Sequence, residues 1–159
     1  MPEPLIDRPH MPGYGVSSSN EGALPWDWAE ERLRKCRNYF VATTRPDARP
    51  HLMPVWGAWV HDQFVFSTAI TSVKSKNLLQ DPSITITIDD GHESVIVEGE
   101  ARLVKFAEVP DFVDAYKDKY DYQLEDKMEP VWAVRPRVAF GFIEDDSFTK
   151  TSTRWRFEL

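Results

Sequence analysis

The run Ser83-Ile84-Thr85-Ile86-Thr87-Ile88 alternates strictly between hydroxyl and branched apolar side chains. Successive side chains of an extended strand point to opposite faces, so this pattern buries the isoleucines and leaves the threonines half-exposed. A helix has no use for a period of two. Further short runs, Tyr39 to Thr44, His51 to about Val60, Phe64 to Thr68, Ser94 to Val104, Val138 to Ile143 and Arg154 to Phe157, are β-branched and aromatic and read as strands. Turn residues separate them, notably Arg45-Pro46-Asp47-Ala48-Arg49-Pro50 and His61-Asp62-Gln63. Gly99, inside the longest run, predicts a bulge or a close backbone approach.

Helical spacing is confined to three segments. Trp28, Ala29, Leu33 and Cys36 recur with that period between Trp26 and about Arg37, as do Phe112, Val113, Tyr116 and Tyr120 between Asp111 and Tyr120. Residues 72–80 read as a shorter helix, with Ser72 as N-cap and Pro82 as its stop. Six or seven short strands in meander-like order avoid bare edges by curling, so the expected fold is mainly β: a small antiparallel barrel with peripheral helices over residues 25–159. Residues 1–24, rich in Pro, Gly and Ser, read as a flexible N-terminal arm.

A net charge of −7 opposes a broad grip on nucleic acid, which needs a basic face. Charges act over only about 8–10 Å at ordinary salt, so a local cationic cluster can still hold a small phosphorylated ligand. One cysteine, Cys36, allows no intrachain disulfide and no Cys-rich zinc site. The chain shows neither a signal-like N-terminus nor the roughly 18–20 apolar residues of a membrane span, and it reads as cytoplasmic. His51, His61 and His92 show no diagnostic metal spacing, and no nucleophile motif stands out.

One segment suggests chemistry. After the strand Phe64-Val65-Phe66-Ser67-Thr68 comes a loop and then Ser72-Val73-Lys74-Ser75-Lys76-Asn77-Leu78. A helix start presents unpaired N–H groups and the positive end of its dipole, and hydroxyls with two lysines there make an anion seat. On spacing alone, the lysines serve equally as a solvated face and Ser72 as a plain cap.

Several motifs together narrow the choice: Pro54-Val55-Trp56 at a hairpin end, Phe-Val-Phe-Ser-Thr at 64–68, Ser-x-Lys-x-x-Asn-Leu at 72–78, Asp81-Pro82, Val-Glu-Gly-Glu-Ala at 97–101 and Thr-Arg-Trp-Arg-Phe at 153–157. In these the chain resembles the pyridoxamine 5′-phosphate oxidase-like superfamily, over roughly residues 39–104. The resemblance implies a split β-barrel and a homodimer with the cofactor, FMN or the deazaflavin coenzyme F420, in a cleft between subunits. It assigns Ser72, Lys74, Ser75 and Lys76, with Asn77 of the same motif, to the phosphate. It places Ser67 and Thr68 at the ribityl chain or phosphate, and the Pro54, Val55 and Trp56 backbone at the ring. Val73 stands where many relatives carry an arginine, which removes one cation.

The resemblance also implies an oxidoreductase that moves hydride between that cofactor and a small organic substrate, with no catalytic acid or base assigned. Relatives that oxidise pyridoxine phosphate close the site with an Arg-Leu-x-Pro type ending, whereas this chain ends Arg154-Trp155-Arg156-Phe157-Glu158-Leu159. A flat or apolar acceptor fits Trp56, Trp59 and Trp132, each also a candidate for the core. Lys76 and Arg49 are candidates for the longer acidic tail of a deazaflavin. His51 and His61 sit in hairpin positions where a solvated histidine is common. The reading from a different class is a barrel that carries a flavin, deazaflavin or haem without turnover.

Overall fold

The structure is a computed structural model describing residues 2–158; Met1 and Leu159, the outermost residues of the predicted arm and of the C-terminal ending, lie outside the described residues. Its strands are β1 (Leu5–Asp7), β2 (Tyr39–Thr44), β3 (Pro50–Val55), β4 (Gly57–Val60), β5 (Gln63–Phe66), β6 (Ser83–Asp89), β7 (Glu93–Val104), β8 (Val131–Ile143) and β9 (Thr153–Arg156). The helices are α1 (Trp26–Lys35), α2 (Val73–Gln80), α3 (Phe112–Tyr120) and α4 (Phe148–Thr151). All strand pairings are antiparallel, in the order β1-β9-β8-β7-β6-β2-β3, with β5 joining β4 to β8.

Hydrogen bonds do not close this sheet. β3 pairs with β2 and β4 pairs with β5, and the two are successive pieces of one strand bent at Trp56. The circuit of β3, β2, β6, β7, β8, β5 and β4 is therefore completed by the covalent bend between β3 and β4 and not by a ladder, the split-barrel form. Gly57 makes the bend possible: a Cβ there would lie 2.4 Å from the Phe64 ring and 2.7 Å from the Val65 carbonyl oxygen. The single strand expected over 51–60 divides at this point.

Isoleucines 84, 86 and 88 are buried, as their alternation requires. They join Tyr39, Val41, Phe64, Phe66, Val95, Val97 and Trp155 in a core inside the barrel, and a second cluster lies under α3 around Phe112, Tyr116 and Tyr120. Gly99 marks a bulge, where the β7–β8 register shifts between Glu98 and Gly99. The residue opposite is Pro136, which has no N–H to give the ladder. This proline, flanked by Arg135 and Arg137, hides the first half of β8 from a periodicity argument.

Two expectations need correction. Nine strands are present in place of six or seven, because β1 and the β3–β4 division were not legible. The 1–24 segment is fastened to the barrel and is not a loose arm. Residues 5–7 pair with 154–156, and the Arg8 guanidinium donates to the carbonyls of Ser19, Glu21, Lys150 and Ser152 at 2.6–2.9 Å. Asp7 receives Arg154 through two bonds at 2.6 and 2.9 Å. These guanidinium contacts, more than apolar burial, hold a polar segment in place.

Candidate functional site

The loop after β5 and the first turn of α2 bring Thr68, Ser72 and Ser75 together, with Ser67 preceding Thr68 and Lys74 in the same turn. Ser72 caps the helix, its Oγ accepting the Ser75 N–H at 3.2 Å, and Thr68 donates its hydroxyl to the same oxygen at 3.4 Å. The N–H groups of Val73 and Lys74 lie in the unpaired first turn. Lys74 is half-buried, and burial holds its ammonium below the ordinary lysine range. Among the described residues no carboxylate pairs with it.

Two assigned side chains face inward. The Ser75 hydroxyl is fully buried and accepts the Trp132 indole N–H at 3.0 Å, and Asn77 donates through Nδ2 to Thr43 Oγ1 at 3.0 Å. These bonds fix α2 to β8 and to β2, so Ser75 and Asn77 position the helix and their side chains are not offered to a ligand. Lys76 lies two positions from Lys74, a spacing that puts the two on different faces of a helix. It is exposed, on the side of Val73 and Leu79, and does not converge with Lys74.

Pro54, Val55 and Trp56 stand at the far end of β3. Val55 is buried opposite Tyr39, Pro54 is exposed opposite Phe40, and Trp56 is 39% exposed. The Trp56 indole stacks on Tyr120 with ring centroids 4.4 Å apart and planes 8° from parallel, and the Arg37 guanidinium lies 5.5 Å from its centroid. Trp59 and Trp132, the other two pocket candidates, are core residues at 3% and 2% exposure. His51, also on β3, is about 13 Å from Val55 at the usual strand rise. One strand thus links the α2 turn to the Trp56 platform.

Sequence reasoning set His51 aside as solvated. Its Nδ1 is buried without a partner among the described residues. Burial, then the charges of Arg45 and Lys74, hold the imidazole below its ordinary pKa. The register of Thr43 with His51, which sets this proximity, is fixed by the folded hairpin and was not legible in the sequence. His61, by contrast, is exposed and paired with Asp111 at 2.9 Å.

Three concavities lie elsewhere on the surface: one is lined by Arg32, Cys36 and Glu93, one by Trp59, His61 and Lys119, and one by Thr44, Thr85 and Arg137. None takes in a residue of the α2 turn. The turn lies open at the surface, with the exposed Val73 as the first residue of its helix.

An antiparallel split barrel with a capped helix start at its side is the class of fold into which this chain falls. The model of the pyridoxamine 5′-phosphate oxidase family matches residues 26–142, well over half of the chain, and the chain belongs to that family. Among solved structures it is similar to an F420 reductase, at 26% identity and a TM-score of 0.57, over 69% of this chain and 94% of that one. It is similar to an FAD-binding protein from Mycobacterium smegmatis, at 20% identity and TM-score 0.54, over 84% and 98%. A third is PhzG from Burkholderia lata, solved with tetrahydrophenazine-1-carboxylic acid, at 13% identity and TM-score 0.58, over 84% and 83%. The last two likenesses carry the fold alone. No curated protein matches the chain.

Proposed function

We propose that the chain is a cytoplasmic oxidoreductase that uses a flavin-type cofactor, FMN or coenzyme F420, and passes hydride to or from a small organic substrate. The observation that carries this reading is Lys74: a half-buried ammonium without a carboxylate partner, beside a capped helix start, in a chain of net charge −7. Ser72, Thr68, Ser67 and the first-turn N–H groups complete a phosphate site around it, with Lys76 at the rim. Ser75 and Asn77 hold the helix that presents it. The Pro54–Trp56 backbone serves the ring end, and Trp56 with Arg37 offers a flat, cationic platform to the substrate.

The bound cofactor would supply the hydride chemistry itself. The chain's residues bind and orient. Exposed apolar side chains on the outward face of β2 and β3, where Phe40 and Leu52 are 44% and 57% exposed, support a homodimer formed through that face.

Purified protein titrated with FMN and with coenzyme F420, followed by fluorescence, tests the reading; failure to bind either at micromolar concentration would end it. A bound cofactor that no acceptor oxidises or reduces would leave a carrier in place of an enzyme. Sedimentation of Phe40→Glu and Leu52→Glu, against a dimeric parent, tests the assembly.

A further inference from the structure

The β2–β3 hairpin sends a second set of cations toward the α2 turn. Thr43 faces His51 in the register, and Thr43 is the residue that accepts from Asn77 of α2. The hairpin position of His51 is thereby pinned against α2, on the side from which the Lys74 charge reaches the imidazole. Arg45 begins the turn that joins the strands. Its N–H donates to the Arg49 carbonyl at 3.0 Å and its guanidinium to the Pro50 carbonyl at 2.7 Å, next to His51.

The charge balance of this neighbourhood is one-sided. Arg49, in the same turn, is neutralised by Asp47 at 2.8 Å. Among the described residues neither Arg45 nor Lys74 has a carboxylate, and His51 Nδ1 has no partner. Two cations and a neutral imidazole thus stand together with no carboxylate partner among the described residues, although acidic residues outnumber basic ones by 26 to 19. An anion is the missing partner.

We infer that Arg45 and His51 complete the phosphate site with Lys74, so that the ligand's phosphoryl group is gripped from the hairpin and from the helix together. This rests on the cofactor site proposed above and adds one cation and one titratable base to a Ser72-Val73-Lys74 motif that lacks the arginine many relatives carry at its second position. Binding also draws a proton. Without ligand, burial and the Arg45 and Lys74 charges favour the neutral imidazole; a phosphoryl anion offsets them and favours the imidazolium. A group whose pKa rises on binding tightens the complex as pH falls, here through the region at and below the ordinary 6.5.

The test compares each phosphorylated cofactor with its phosphate-free parent: FMN with riboflavin, and coenzyme F420 with the corresponding deazariboflavin. Arg45→Gln and His51→Gln should each cut the preference for the phosphorylated form by about tenfold or more, leaving affinity for the parent ring unchanged. Arg45→Lys, which keeps the charge, should retain most of the preference. Calorimetry at pH 6.5 in two buffers of different ionisation heat should show greater proton uptake for the natural chain than for His51→Gln. If both glutamine variants keep the full preference while Lys74→Ala loses it, the hairpin has no part in the site and this inference is overturned, with the cofactor site intact. If the natural chain binds neither phosphorylated compound, the cofactor reading falls and takes this one with it.

Discussion

Trp132 on β8 donates its indole N–H to the Ser75 hydroxyl of α2 across 3.0 Å, and both side chains are almost wholly shielded from water. With the Asn77–Thr43 bond this makes α2 a helix held at two points on the barrel wall. Removing the acceptor in Ser75→Ala leaves a buried N–H unpaired, which costs about 1–3 kcal/mol. Urea unfolding measures it. A midpoint equal to that of the natural chain would show that the bond contributes nothing.

Lys74→Ala should behave in the opposite way. Its ammonium pairs with no carboxylate among the described residues, so melting of the ligand-free protein should be nearly unchanged. Cofactor binding should weaken by about 1.5–3 kcal/mol, the value of a charge-assisted hydrogen bond. Fluorescence titration reads the difference, and equal affinity would remove Lys74 from the site.

Gly99→Ala tests the bulge. A Cβ at this position would stand 2.2 Å from the Arg135 carbonyl oxygen, a backbone atom that cannot swing aside. Overpacking of this kind costs at least about 2 kcal/mol, read as a lower unfolding midpoint. Full stability in the variant would mean that β7 and β8 shift register freely here.

Much of the architecture could be read from periodicity, and the exceptions share causes. α2 and its Ser72 cap, the alternation of β6 and the Gly99 bulge follow from local pattern, because each depends on residues within a few positions of itself. β1 escaped because three residues between prolines carry no period, and its place is set by Arg8 and Arg154, the latter far along the chain. The first half of β8 escaped because Pro136 argues against a strand unless the bulge opposite is known. In the candidate site, the motif singled out the whole 72–77 run and could not tell that the Ser75 and Asn77 side chains point inward. That depends on Trp132 and Thr43, partners fixed by the tertiary fold. The nearness of His51 to Arg45 and Lys74 was hidden for the same reason.

Stability should pass through a maximum in alkaline solution. Lys119 donates to the Tyr39 hydroxyl at 2.7 Å and the Gly57 carbonyl at 3.3 Å, and burial pulls its pKa from 10.5 down to about 8. Between those values the unfolded chain holds more protons than the folded one, so stability rises with pH. The phenols act in reverse: burial pushes Tyr120 up to about 12 and Tyr39 higher still, while unfolded tyrosines ionise near 10.0. Above that pH the folded chain holds more protons and stability falls. Melting temperature should therefore climb from pH 8 toward 10 and then decline, and Lys119→Met should flatten the climb, leaving only the smaller share from Lys74, and keep the decline.

The bend at Trp56 leaves β3 at the end of the hydrogen-bonded order, with a neighbour on one side only. An open flank of this kind invites strands of other molecules to add on, the first step toward fibrous precipitate. β3 reads Pro-His-Leu-Met-Pro-Val, and each proline withholds a donor from any incoming strand. The two prolines thus act as gatekeepers against strand addition at this edge, which the barrel requires because its circuit is joined by covalent chain and not by a closed ladder.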